Sequence, residues 1–398
     1  MNKQVIFLIV SLLAHLSGYF ILFFKIEPFQ YFSYIILWWS YIIFMDVLIS
    51  LKKDKYLILN KDLPFLIIFS CGFWCVFEIV NIRIQNWFYI NLPSYIYQRY
   101  TGYLLAYGTV IPAIYVTKKF IYSFIGDMKI KSILIKNYPV YSILLGLITL
   151  LLIFLYPVYF FCFAWIFLSF ILDGYNYLKG YASFMNDFEK GLAGKFIATA
   201  LSGLICGILW ETWNFWSVSK WVYTVPFFED LKLFEMPVPG YIGFLVFSFE
   251  VVAFLNFIEG IRLRQRNNIL AALCCLIFSV FSFVMIDRHT VFSYAAKVEK
   301  LNFIEKEKLN YFIKSGVETS YGIDHSLLDK NERDRINLLH LKGMGIDNLL
   351  KLQQHGISNI NALSELDDRT LSNILNEGNL RRIRVYIRAA KKAADINS

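Results

Sequence analysis

Three glutamates and two asparagines lie where a bilayer would be expected to exclude them. Glu78 and Asn81 fall in the apolar run 64–83, Glu211 and Asn214 in 193–215, and Glu250 in 240–261. A charged side chain inside a membrane costs about 2.5 to 3.5 kcal/mol on insertion scales, so such residues call for a function. Each Glu-x-x-Asn pair is spaced i, i+3 and therefore shares one helix face. Two such faces brought together would form an outward-facing pocket of two carboxyls and two amides. Neighbouring carboxyls in a low dielectric titrate apart, which suits one as a general acid and the other as a base. The same acids would equally serve a proton or cation pathway.

Other polar residues have blander readings beside this one. Asp46 and Asp173 lie near the ends of apolar runs, as interfacial carboxylates do. His15 is expected to hydrogen-bond between helices, and Glu235 to be either an acid above the pocket or a solvated loop charge. No HExxH, H-x-x-H or D-D-x-x-D pattern is present, so no metal and no cofactor are expected. The six cysteines all lie in apolar runs without C-x-x-C spacing, which suggests neither a disulfide framework nor a zinc site.

What must position these residues is a helical membrane protein. Of 398 residues 57% are hydrophobic and 17% charged, and mean hydropathy is +0.51, whereas a soluble globule is roughly half apolar and about 25% charged. Runs of spanning length occupy about 5–24, 31–51, 64–83, 95–116, 138–156, 158–178, 193–215, 240–261 and 268–286, nine in all, with a tight turn at Tyr156-Pro157. Val5 to Phe24 is too long for a secretory h-region and reads as an uncleaved span. Alternate loops carry the basic residues: Lys52, Lys53, Lys55 and Lys61; Lys118, Lys119, Lys129, Lys131 and Lys136; Lys179, Lys190 and Lys195; and Arg262, Arg264 and Arg266. The positive-inside rule then puts the N-terminus in the cytoplasm, and an odd span count puts the C-terminus outside. The net charge of +9 follows largely from these loops rather than from a nucleic-acid surface.

The chain also repeats itself. Phe77-Glu78-Ile79-Val80-Asn81, Trp87-Phe88-Tyr89 and Gly102-Tyr103 echo Trp210-Glu211-Thr212-Trp213-Asn214, Trp221-Val222-Tyr223 and Gly240-Tyr241, and Asp46 matches Asp173. Four spans separate equivalents, which predicts two parallel four-helix repeats, about 5–125 and 138–262, plus an extra span at 268–286. The second repeat, with its W-E-x-W-N helix end, W-x-Y loop, Pro-rich turn and midspan Glu250, distantly resembles the repeated membrane segments of the bacterial and archaeal lycopene cyclase type. That resemblance implies acids acting on a long apolar polyene. In place of the family's adjacent acidic pair, this chain has Met236-Pro237-Val238-Pro239 and then Glu250 alone.

Charged residues crowd the last hundred positions, marking a soluble all-α tail: a linker helix within 291–335 and a domain at 336–398. There Leu341-Lys342-Gly343-Met344-Gly345 breaks one helix and starts another, and Gly356 ends the second. Residues 336–392 resemble a tandem helix-hairpin-helix domain, with Asn376-Glu377-Gly378 as the second hairpin. The resemblance implies backbone amides at Gly343 to Gly345 able to bind DNA phosphate without reading sequence. Arg381, Arg382, Arg384, Arg388, Lys391 and Lys392 would add contacts. Such tandem domains also serve as protein-interaction modules.

The expectation is thus an all-α polytopic membrane protein whose pocket of Glu78, Asn81, Glu211, Asn214 and Glu250 binds or modifies a lipid or isoprenoid-like apolar molecule. The alternatives are a transporter or proton or ion path through the same acids, and a membrane anchor presenting the hairpin domain to DNA or a protein partner.

Overall fold

The computed structural model describes residues 3–228, 231–264 and 268–397; Arg266 lies outside them. The described chain is helical apart from two short strand pairs. Helices α1 (Lys3–Phe24), α2 (Ser33–Lys53) and α3 (Leu63–Ile84) lead into strand β1 (Trp87–Ile90). Next come α4 (Ile96–Tyr107), α5 (Val110–Ile125), α6 (Tyr138–Leu155), α7 (Pro157–Phe160), α8 (Phe167–Lys179), α9 (Phe184–Glu189) and α10 (Gly194–Trp216). Strands β2 (Lys220–Tyr223), β3 (Lys232–Leu233) and β4 (Met236–Pro237) precede α11 (Tyr241–Arg264) and α12 (Asn268–His289).

Eight of these segments are long and apolar enough to cross a membrane. A ninth crosses if Pro157–Trp165 and Phe167–Lys179, bent by 45°, count as one span. The chain is therefore a multi-pass helical membrane protein. In hydrocarbon only closed backbone hydrogen bonding is tolerated, which is why the spans are helices and the strands sit beyond their ends.

Because lipid supplies no hydrophobic drive between helices, close approach depends on small residues. Gly203 and Gly207 lie four apart on α10 and face α11. A Cβ on Gly203 would lie 2.2 Å from the Phe244 carbonyl oxygen, and one on Gly207 2.3 Å from the Phe244 ring. Neither site has room for a side chain, so these two glycines set the α10–α11 spacing.

The connectors gather at two ends. At one, Ile130 N–H donates to Gly191 O and Ala193 N–H to Met128 O, tying the 126–137 and 180–193 connectors together. At the other, β1 pairs with β2, and the segment after α12 runs beside β1 through bridges Tyr89↔Val291 and Leu92↔Tyr294. The remainder of the chain follows at that second end, as α13 (Lys306–Lys314), α14 (Lys330–Leu339), α15 (Gly345–Gln354), α16 (Ile360–Ser364), α17 (Asp368–Leu375) and α18 (Leu380–Asn397). Ala296, Leu301, Phe312 and Leu328 share one buried cluster with Ile336, Leu349, Leu371 and Ile387. Residues expected as a linker are part of that core, and the boundary expected at 336 falls inside α14.

Lys61, in the connector between α2 and α3, and Ser326, in the tail after α12, thus lie at opposite ends of the bundle, both exposed. In a variant whose native cysteines are replaced, single cysteines at these two positions will label from opposite faces of sealed vesicles with a membrane-impermeant maleimide. Labelling of both from one face would contradict this arrangement.

Candidate functional site

The two asparagines finish their helices. Asn81 Oδ1 accepts from Asn86 N (2.9 Å) and Trp87 N (3.3 Å), and its Nδ2 donates to Trp87 O (2.8 Å). Asn214 Oδ1 accepts from Trp221 N (3.0 Å) and its Nδ2 donates to Trp221 O (3.0 Å). Buried backbone groups must be paired, and each amide does this at the start of a strand. The strands then pair antiparallel in the register Trp87↔Tyr223, Phe88↔Val222, Tyr89↔Trp221 and Ile90↔Lys220.

The carboxyls lie one turn earlier on the same helices, fully buried. Glu78 Oε1 accepts from Trp74 Nε1 (2.8 Å), Trp87 Nε1 (3.1 Å) and the Tyr89 hydroxyl (2.6 Å), and the Tyr107 hydroxyl donates to that of Tyr89 (3.0 Å). Glu211 Oε1 accepts from the Tyr223 hydroxyl (2.8 Å). In both, Oε2 is buried without a hydrogen-bond partner among the described residues, and no hydrogen bond joins the two carboxyls. Glu250 stands apart: its Oε1 accepts from Leu168 N (2.8 Å), fastening α11 to the first turn of α8 after the bend.

At the opposite end of the bundle, Asp46 takes the amides of Leu57 (2.7 Å), Ile58 (3.0 Å) and Leu59 (2.9 Å). Asp173 takes that of Phe184 (2.8 Å) and the Tyr138 hydroxyl (2.7 Å). Both carboxylates hold connectors and are buried rather than snorkelling to water. His15 Nδ1 hydrogen-bonds Ser40 Oγ at 2.8 Å between α1 and α2, as expected.

A cavity opens where the two strand-bearing ends meet. Its wall is aromatic, with Phe32, Trp74, Trp87, Tyr89 and Tyr107 beside Trp165, Trp210, Trp221, Tyr223 and Phe247. It offers about 140 Å³ to the centres of water-sized molecules. Glu78, Asn81, Glu211, Asn214 and Glu250 are not on this wall. The two acids stand behind it, gripping Trp74, Trp87, Tyr89 and Tyr223, which are; Asn81 and Asn214 grip the backbone of Trp87 and Trp221. They are positioning residues for an aromatic surface.

Gln98, Arg99, Ser219 and Lys220 are also among the lining residues. Arg99 Nε and Nη2 donate to the Asp287 carboxylate (2.9, 3.0 and 2.7 Å), and Nη1 to Pro93 O (2.8 Å) and Ser94 O (3.3 Å). The sequence reading missed this pair and Trp165. The pair had a signal: one cation in the run 95–116 and one anion just past 268–286, each costly alone. Among the described residues no group of His, Cys, Asp or Glu could hold a metal ion.

The C-terminal candidates face the bundle. Gly343 (φ 77°) and Gly345 (φ 65°) turn left-handed, as a tight hairpin requires. A Cβ on Gly343 would lie 3.0 Å from Phe292 and 3.2 Å from Ile90, and one on Gly345 2.8 Å from Ser293. Arg381 donates to Thr224 O (2.8 Å) and Ile84 O (3.1 Å). The Arg382 guanidinium lies over the rings of Phe292 (3.9 Å) and Phe88 (4.6 Å). Nearby, buried Glu235 pairs with both Lys342 and Lys220, and Thr319 donates to Glu27. Burial would push the Glu235 carboxyl up, but Lys342 and Lys220 together hold it below its ordinary value.

Asn81→Ala strands three hydrogen bonds and Asn214→Ala two, at about 1 to 3 kcal/mol per buried group left unpaired. Thermal unfolding in detergent should therefore show both destabilised, Asn81→Ala more. A depressed carboxyl contributes docking stability that is complete above its ordinary value, about 4.3, and is lost as pH falls through its lowered one. Hydrogen exchange of residues 336–397 should be unchanged from pH 7 to 5.5 and rise below about pH 4 once intrinsic rates are corrected. Glu235→Gln should raise it already at pH 7, with a loss of up to about 3 kcal/mol.

Comparison with family models, with curated proteins and with solved structures gave no match.

Proposed function

We propose that this membrane protein binds a lipid- or isoprenoid-like apolar molecule in the aromatic cavity between two parallel four-helix repeats. The observation that carries the reading is the wall itself: indole, phenol and phenyl rings line it, and the intramembrane acids stand behind as anchors for those rings. Apolar concave sites with few polar groups suit such ligands. The buried position of the acids favours binding over acid–base chemistry on the ligand.

The strand register supports the repeat. Trp87 pairs with Tyr223, the equivalent of Tyr89, and Tyr89 with Trp221, the equivalent of Trp87, around the Phe88–Val222 pair, as a two-fold relation requires. Asp46 and Asp173 each take an amide 11 residues on, and Glu78 and Glu211 hold tyrosines 11 and 12 residues on. Helices α1, α2, α3 and α4–α5 would then correspond to α6, α7–α8, α10 and α11, with α12 the extra span.

For the tail, the left-handed glycines at 343 and 345 support the helix-hairpin-helix reading. Their packing on Ile90, Phe292 and Ser293, and the use of Arg381 and Arg382 within the chain, support docking onto the bundle rather than a DNA or external protein contact. The basic connectors support an N-terminal end in the cytoplasm of a cell membrane, with the docked tail outside.

The test is a titration of the nanodisc-embedded protein with geranylgeraniol, read by tryptophan fluorescence. Saturable binding is expected, weakened about tenfold, or about 1.4 kcal/mol, by Trp165→Ala, a wall residue outside the carboxyl hydrogen bonds. No saturable binding, or binding indifferent to Trp165→Ala, refutes the cavity. A chemically altered lipid in expressing cells that is abolished by Glu211→Gln would shift the reading to an enzyme, and proton-coupled uptake lost in that variant to a transporter.

A further inference from the structure

We infer that the cavity and the docked tail are linked through the β1–β2 ladder between them, so that an apolar occupant tightens docking of the tail and the docked tail tightens binding of the occupant. The inference rests on the cavity reading above and adds its regulation.

Side chains alternate across a strand, so the ladder has two faces. Trp87, Tyr89, Trp221 and Tyr223 are on the cavity wall. Phe88 and Ile90 take the other face, and each is 1% exposed. The tail covers that second face. The Arg382 guanidinium lies 4.6 Å from the Phe88 ring, and a Cβ on Gly343 would lie 3.2 Å from Ile90. Phe292 joins the ladder by donating its N–H to Tyr89 O (2.7 Å). Its ring lies 4.4 Å from that of Phe88 and 6.0 Å from that of Tyr386 in the tail.

The tail also holds the ends of the ladder. Arg381 donates to Ile84 O at the end of α3 and to Thr224 O just after β2. Asn379 Nδ2 donates to Gln85 Oε1 (2.6 Å), and Glu235 joins Lys342 to Lys220 at the start of β2. Among the described residues none of the tail lines the cavity, so the tail does not act as a cap on it.

A pair of four-residue strands is marginally stable on its own. An occupant packed on the four wall rings and a tail packed on Phe88 and Ile90 order the same backbone. Whichever is in place first lowers the ordering cost for the other. Such linkage is reciprocal, one factor describing both directions.

The experiment uses the full-length protein in nanodiscs with geranylgeraniol as the probe. Saturating geranylgeraniol should slow hydrogen exchange of residues 87–90, 220–223 and 336–397 by about fivefold or more. Gly343→Val combined with Gly345→Val should undock the tail, seen as faster exchange at 336–397 with α6 and α8 unchanged, and weaken geranylgeraniol binding by a similar factor. Bound geranylgeraniol that leaves exchange of 336–397 unchanged in the unaltered protein overturns the linkage and keeps the cavity, without needing any variant to fold. Undiminished affinity in the undocked variant overturns it as well. Slowing of the tail without slowing of the two strands overturns the ladder as the route. Absence of geranylgeraniol binding to the unaltered protein removes the cavity reading and this inference with it.

Discussion

Backbone left unpaired near hydrocarbon is the constraint on which this structure depends. Helices α3 and α10 must stop, and each stops with an asparagine of its last turn, Asn81 or Asn214, hydrogen-bonded to the backbone where the next strand starts. Those strands then pair with one another, so that two helix ends in separate parts of the chain are closed by one short ladder. The same ladder carries Trp87, Tyr89, Trp221 and Tyr223 to the cavity wall. Satisfying the backbone and building the aromatic surface are therefore one event.

The acids make sense in the same terms. A tyrosine or tryptophan on a cavity wall has a polar atom that needs a partner when buried. Glu78 supplies one acceptor oxygen to Trp74, Trp87 and Tyr89 together, and Glu211 serves Tyr223. Rings whose tips are held from behind keep their faces toward the cavity. Glu250, Asp46 and Asp173 do comparable work on backbone, gathering amides of segments that would otherwise end unpaired. Intramembrane acids here act as struts.

At the strand-bearing end the tail is part of the architecture. Its two left-handed glycines permit a close approach to Ile90, Phe292 and Ser293, and a Cβ at 345 would lie 2.8 Å from Ser293. Glu235 links both sides, pairing with Lys342 of the tail and with Lys220 of the cavity wall. Docking of the tail and the start of β2 thus share one carboxylate.

Much of this was written in local pattern. Apolar run lengths placed most of the spans within a few residues, because a bilayer imposes one length on every crossing. The run expected at 95–116 continues to Ile125, however, and the one at 158–178 is bent by 45°. Paired Glu-x-x-Asn motifs marked the helix ends that matter, since lipid makes each such residue costly, and glycine spacing marked the hairpin at 343–345. Direction of the side chains was not in the pattern. Whether Glu78 points into a cavity or behind its wall depends on where Trp74, Trp87 and Tyr89 lie around it, and the β1–β2 pairing that sets this joins residues more than a hundred positions apart. For the same reason Arg99 and Asp287, each an isolated charge in the sequence, became a pair only when α4 and α12 came together. The sequence by itself determined which segments cross, which residues are too polar to sit in lipid and where the hairpin turns, because these are local costs of solvation and backbone conformation. Only the tertiary structure decided that the acids brace the cavity instead of lining it, and that the tail closes onto the bundle, because both follow from contacts between distant segments.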